Sequence, residues 1–310
     1  MARRIYIPAQ VIDDISRHIQ SAVRRATEGF WSANEDEDTL TGHLGACLKT
    51  GTHTVNVVQD EVSGPWKWSF DYSKFRGRGA SATESHLGAD GIFELNMDWG
   101  YRAEKKSLLF QSKTEWSDSP ELVEQSMLLS TWREAAIAID YKPGGFEAFS
   151  IDSVLASRGI RSDAGDGIPL QDALGDYFIK CKVGSTDLSY DARSRRLYWR
   201  DTNGLRVGVQ FSVPHRMRLK VQAPVRGQFV DKEILPAEIH QHRMEVAPEE
   251  MLMPVLSSAT KKPKEMKRAL AKTYHPDRYD AYEQLFRDLA NRRMQEINAA
   301  ADELKKRGDF

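Results

Sequence analysis

Cysteine is almost missing from this chain: 310 residues contain two, Cys47 and Cys181, far apart and without a CxxC or Cys/His neighbour. That excludes a disulfide framework and a zinc clip, so any metal must use oxygen ligands. Long apolar runs are lacking too, and no stretch approaches the roughly 20 residues of a membrane span. The first residues, MARRIYIPAQVIDDISRHIQ, carry two arginines with no apolar h-region behind them, and acidic residues follow at once, which argues against a signal peptide. A cytoplasmic protein without a membrane partner is therefore expected. Charge of one sign is not in excess, with 44 basic against 45 acidic residues and a net charge of -1, so contact with nucleic acid would have to come from local patches. A GxxxxGK[ST] loop is absent, so the chain carries no ATP motor of that kind. At about 100–200 residues per domain, the length calls for at least two cores.

What is present reads as helix, then sheet, then helix. Val11, Ile12, Ile15, Ile19 and Val23 recur at helical spacing. Asn34 and Glu37 resemble a capping box, and Leu40, Leu44 and Leu48 predict a second helix over about 35–50, stopped by Gly51. Strand character follows at 52–59, 67–75, 90–97 and 106–116. Pro120 opens a helix, and AAIAID and FEAFSI read as strands around the turn KPGG at 142–145. The Gly- and Asp-rich stretch 161–172 suggests a boundary. DYFIKCKVG, LSYD, RLYWRD, LRVGVQFSV and RMRLKVQA suggest a small antiparallel β unit, and from Pro248 the spacing is helical. The expected fold class is α/β, a mixed sheet flanked by helices, with units at 1–160, 161–247 and 248–310.

Chemistry concentrates first in HLGADGIFELNMDWGYRAEKKSLLFQSKTEW. Asp90 begins one apolar strand and Gln111-Ser112-Lys113 ends another, so adjacent antiparallel strands would bring them together. Side chains alternate along a strand, which puts Gln111 with Lys113 on one face and Asp90 with Glu94 on one face, so a single site could gather all four. Phosphodiester hydrolysis needs oxygen ligands for a hard cation, a polarised water and a positive group near it, which an acid, an amide and a lysine supply. GADG at 88–91 with QSK at 111–113 resembles the PD-(D/E)XK nuclease superfamily, in the variant whose middle acid is Gln, as in Mrr-like restriction enzymes. The resemblance implies a restriction-endonuclease-like core. It implies Mg²⁺, with Mn²⁺ as a substitute, on Asp90 and Gln111, with Lys113 as the catalytic lysine and an upstream helical acid completing the site. Glu37 is the first choice for that acid and Glu35 the alternative. Gln in place of an acid removes one negative charge, so an inactive nucleic-acid-binding relative stays open.

The second motif is His275-Pro276-Asp277. It follows a helical stretch bearing Lys264, Lys267, Arg268 and Lys272 and precedes a long helix with Leu285, Leu289, Met294, Ile297, Ala301 and Leu304 at its apolar positions. With MLMPVL at 251–256 as a short first helix and QEINAAADEL near the end, residues 248–310 resemble a J domain. That resemblance implies that His275, Pro276 and Asp277, with the basic face of Lys267, Arg268 and Lys272, engage a DnaK-type chaperone, whose acidic surface complements the helix. A partner from the same defence system, or DNA phosphates under the lysines, are alternatives.

Of the remaining residues, Trp66, Lys67 and Trp68 with Arg76 and Arg78 offer either a stacking clamp for nucleic acid or, more commonly for strand tryptophans, core packing. His215, His240 and His242 have no ligand spacing, and Ser112 has no evident triad. The expected protein is thus a Mg²⁺-dependent DNA endonuclease of anti-phage or restriction defence with a J-like domain. The alternative is a non-enzymatic co-chaperone or adaptor. RNA in place of DNA, and self-association, stay open at this level.

Overall fold

The structure, a computed structural model, describes residues 5–33, 36–58, 60, 62–75, 89–200, 206–210, 213–224, 263–275 and 284–308. Helix α1 (Ala9–Glu28) buries Val11, Ile15, Ile19 and Val23 along one stripe, as their spacing predicts. A single turn, α2 (Phe30–Ala33), leads to α3 (Glu37–Leu48), whose Leu40, Leu44 and Leu48 are fully buried. The helix start differs from the expected capping box. The Asp36 carboxylate accepts from the Thr39 N–H at 2.6 Å, so Glu37 is the first helical residue, and Asn34 and Glu35 lie outside the described residues. Gly51 does not end the helix but already lies in β1 (Thr50–Val57).

Strands β2 (Gly64–Lys74), β3 (Gly91–Asp98) and β4 (Ala103–Thr114) follow, then α4 (Pro120–Leu129), β5 (Ala136–Lys142), β6 (Gly145–Ser150) and α5 (Ile151–Ala156). The Ser119 side chain caps α4 by accepting from Leu122 N–H at 3.1 Å, with Pro120 at the first position where its missing N–H costs nothing. Next come β7 (Ile168–Pro169), α6 (Leu170–Asp172), β8 (Ser189–Asp191), β9 (Arg196–Arg200), β10 (Arg206–Gln210) and β11 (His215–Gln222). Two helices close the chain, α7 (Pro263–Thr273) and α8 (Gln284–Arg307).

Eight strands form one mixed sheet in the order β1-β2-β11-β3-β4-β5-β6-β7, and β10-β9-β8 form a small antiparallel sheet. β3 and β4 are antiparallel, with Gly91 opposite Phe110, while β5 returns parallel to β4 after the α4 crossover. Two segments depart from the sequence reading. RMRLKVQA, expected in the small unit, is β11, inserted into the main sheet antiparallel to β2 and parallel to β3. Its alternation of buried Met217, Leu219 and Val221 with the less buried Arg216, Arg218 and Lys220 marks a half-buried strand, but alternation does not name the neighbours. DYFIKCKVG is helical over Ala173–Phe178, a widened turn continuing α6, whose Leu174, Phe178 and Ile179 enter the core beneath α1. A short apolar run of that length does not distinguish strand from helix.

One core lies between the sheet and α1 with α3. On the opposite side, a second core joins α4, α5 and the small sheet to Leu270, Tyr274, Ile297, Ala301 and Leu304 of the C-terminal segment; α7 packs on α5 and α8 on α7, with Arg293 of α8 reaching Asp152 of α5. MLMPVL, Pro276 and Asp277 lie outside the described residues, whereas His275 is described and exposed. Among the described residues no helix is long and apolar enough to cross a membrane.

Candidate active site

The start of β3, the end of β4 and the first turn of α3 meet at one end of the sheet. Gly91 makes the approach of the strands feasible, since a Cβ there would lie 2.2 Å from the Phe110 ring and 2.9 Å from the His215 carbonyl. Immediately before it, Asp90 is fastened into the sheet by its main chain: its N–H donates to Phe110 O at 2.9 Å, and its carbonyl accepts from His215 N–H at 3.1 Å.

The Asp90 carboxylate receives three hydrogen bonds at Oδ2, from Gln111 Nε2 (2.9 Å), Ser112 N–H (2.8 Å) and Ser112 Oγ (2.6 Å). Gln111 and Asp90 therefore converge as their strand positions predict. Burial pushes the Asp90 carboxyl above its ordinary range; the Ser112 bonds and the charge of Lys113 oppose the rise, and the charge of Glu37 adds to it. Glu37 and Lys113 thus both act on Asp90 through space. The Lys113 ammonium also pairs with Glu121 of α4 at 3.0 Å, and that acid in turn accepts from Gln125 at 3.4 Å.

Glu94, which alternation allowed into the site without requiring it, lies outside it. It faces away from this cluster and is buried in an ion pair with Arg216 of β11, so three of the four residues that alternation could have gathered are together. Alternation correctly equates faces, but Asp90 precedes the strand proper and turns toward Ser112. For Trp66 and Trp68 the structure selects core packing, the commoner of the two readings, over the stacking clamp. Both are buried, their indole N–H groups donate to Val62 O at 2.8 Å and Asp14 Oδ2 at 2.9 Å, and they offer no face for stacking bases. Arg76, Arg78, His240 and His242 lie outside the described residues.

Several neighbours were given no role by the sequence reading. Thr41 of α3 donates back to the Glu37 carbonyl at 2.7 Å, and its hydroxyl lies 3.1 Å from Tyr141 Oη and 3.3 Å from Ser112 Oγ. Its place one turn after Glu37, inside the leucine stripe, was the available signal. Asp38 meets His215 Nε2 at 2.7 Å and Lys74 Nζ at 2.5 Å, and Tyr72 Oη lies 2.9 Å from His215 Nδ1. No local signal announces His215, because only the placement of β11 brings it here.

The donor set suits a hard cation. Gln111 Oε1 is buried without a hydrogen-bond partner, an amide oxygen with a free lone pair on the side chain whose Nε2 donates to Asp90. Among the described residues no three His, Cys, Asp or Glu side chains gather as a cage, so a cation here would draw on Asp90, Glu37 and the Gln111 amide. On the C-terminal side, Lys264, Arg268, Lys272 and His275 are exposed and Lys267 is half-buried. Compared with protein-family models, curated proteins and solved structures, the chain matches none.

Proposed function

We propose that the chain is a divalent-cation-dependent DNA endonuclease, in which Asp90, Gln111 and Glu37 hold Mg²⁺, or Mn²⁺ in its place, and Lys113 serves the attacking water. The observation that carries this reading is the meeting of Asp90, Gln111, Lys113 and Glu37 at one sheet end, with a buried amide oxygen left unpartnered. The succession of helix, β3, β4, crossover helix and parallel β5 supports it, being the core order expected of PD-(D/E)XK nucleases. Bound there, the cation would supply a polarised water and offset phosphate charge. Gln111 would turn its amide oxygen inward and keep Asp90 oriented through its N–H. Lys113, tethered to Glu121, would orient the nucleophile and stabilise negative charge as it develops on the phosphate.

The C-terminal helices would recruit a DnaK-type chaperone, or another protein of the same system, through His275-Pro276-Asp277 and the basic side chains Lys267, Arg268 and Lys272. Phage or restriction defence in the cytoplasm is the context that the family resemblance suggests.

A second reading, a non-cutting nucleic-acid- or client-binding adaptor, is favoured by one observation: Asp90 Oδ2 already has three internal donors, as a purely structural carboxylate would. Nicking of supercoiled and linear DNA by the purified protein with Mg²⁺ or Mn²⁺, against EDTA and Lys113→Ala controls, decides between them. Cutting that needs the cation and Lys113 is the expected result. Its absence, with and without a DnaK-type partner and ATP, selects the adaptor.

A further inference from the structure

We propose that His215 is a positioning residue of the candidate site, holding Asp90 through its main chain and the first turn of α3 through its ring; this rests on the divalent-cation reading above. Glu37 is the first residue of α3, where helices fray unless side chains tie them down. Asp36 caps the turn from its own chain, and Asp38, the neighbour of Glu37, ties it to the sheet. One carboxylate oxygen meets His215 Nε2 at 2.7 Å and the other meets Lys74 Nζ at 2.5 Å.

The ring that receives Asp38 is itself held. It is 1% exposed, lies nearly parallel to the Tyr72 ring, and has Tyr72 Oη at 2.9 Å from Nδ1. A single tautomer satisfies both contacts: Nε2–H donates to Asp38, and Nδ1 accepts from the tyrosine hydroxyl. Tyr72 stays protonated for that role, because burial and the Asp38 charge push its hydroxyl up to about 12. The same histidine donates its backbone N–H to the Asp90 carbonyl at 3.1 Å. Thus two carboxylates on different elements, Glu37 and Asp90, are referenced to one residue of a third, β11. Gly45 permits the arrangement, since the Tyr72 ring lies 2.3 Å from where its Cβ would be, so any larger residue would lift α3 off β2.

Outer partners that orient metal ligands contribute about 10–100-fold in metal affinity or activity. On the intact protein, Mn²⁺ binding is measured by titration calorimetry, and DNA nicking is measured against Mn²⁺ concentration. His215→Leu should raise both midpoints by about 10–100-fold. His215→Gln, whose amide can still donate to Asp38, should recover most of the loss. Asp38→Asn, at an exposed side chain that folding tolerates, should shift the midpoints in the same direction by less. Leu219→Ala, a core cavity on the same strand, should lower the melting temperature and leave the midpoints in place. Unchanged midpoints in His215→Leu or Asp38→Asn, or an equal shift in Leu219→Ala, overturn the assignment while the nuclease stands. A wild-type protein that neither binds Mn²⁺ nor nicks DNA overturns the nuclease reading, and the positioning role with it.

Discussion

Two carboxylates, Asp90 at the sheet end and Asp152 on α5, are held in opposite ways. Asp152 receives Arg293 of α8 at 2.5 and 2.6 Å, and the Tyr274 hydroxyl at 2.9 Å. Burial works against the Arg293 charge, but Asp152, Tyr274 and Glu296 more than offset it, so the guanidinium is held protonated more firmly than usual. The charge of Asp152 is therefore matched inside the protein, and the group is structural. Asp90 is held by an amide, a hydroxyl and a backbone N–H, all neutral, and burial pushes its carboxyl up. A negative charge fixed in place but not neutralised by a contacting cation is what an incoming divalent ion can use. Lys113, whose charge acts on Asp90 from a distance, pairs with Glu121.

Substitutions should separate the two centres. The largest effect is expected on cutting: Lys113→Ala should lower the nicking rate by about 10²–10⁴-fold, the range for a positioned proton-transfer or charge-stabilising side chain, with the melting temperature nearly unchanged. At the other centre, Asp152→Ala leaves a buried guanidinium without its main partner and should destabilise the fold by about 3–5 kcal/mol, read by urea unfolding. Equal loss of stability from Asp90→Asn would break the comparison, because Asp90 would then be structural too.

Divalent ions give an intermediate effect. Mg²⁺ at a hundred times its dissociation constant should add about 2.7 kcal/mol to wild-type stability and nothing to Asp90→Asn. A matching rise in the variant would place the ion elsewhere.

The smallest effect belongs to a third kind of carboxylate, Glu147, half-buried beside Lys142 (2.8 Å) and Arg161 (2.7 Å). Burial tends to raise its carboxyl, but bonds from both cations bring the net value below the ordinary range. A depressed folded-state value stabilises above the unfolded one, about 4.3, and the contribution is lost as pH falls through the depressed value. Glu147→Gln should therefore cost under about 1 kcal/mol at pH 7 and nothing near pH 2, by thermal melts across that range.

Much of the site's scaffold was legible locally. The leucines of α3, the alternation of β3 and β4, and the Ser119-Pro120 helix start each depend on neighbours within a few residues, where propensity and periodicity act. From that pattern the pairing of Asp90 with Gln111 was predicted, and the hydrogen bond at 2.9 Å is its counterpart. What escaped was whatever a distant segment supplies. Arg216 claims Glu94, and His215 claims Asp38, both from a strand more than 115 positions later in the chain. Trp66 and Trp68 were ambiguous for the same reason, since only α1 and the rest of the core decide whether a strand tryptophan is covered.

By itself, then, the sequence determined which segments are helices and strands in the first half, which faces they bury, and that an acid, an amide and a lysine stand on adjoining strands. Tertiary structure alone decided that β11 enters between β2 and β3, that His215 bridges Asp38 to Asp90, and that Arg293 meets Asp152. Periodicity encodes a strand's faces but not its partners, because the ladder hydrogen bonds that choose them are made by a backbone common to every residue.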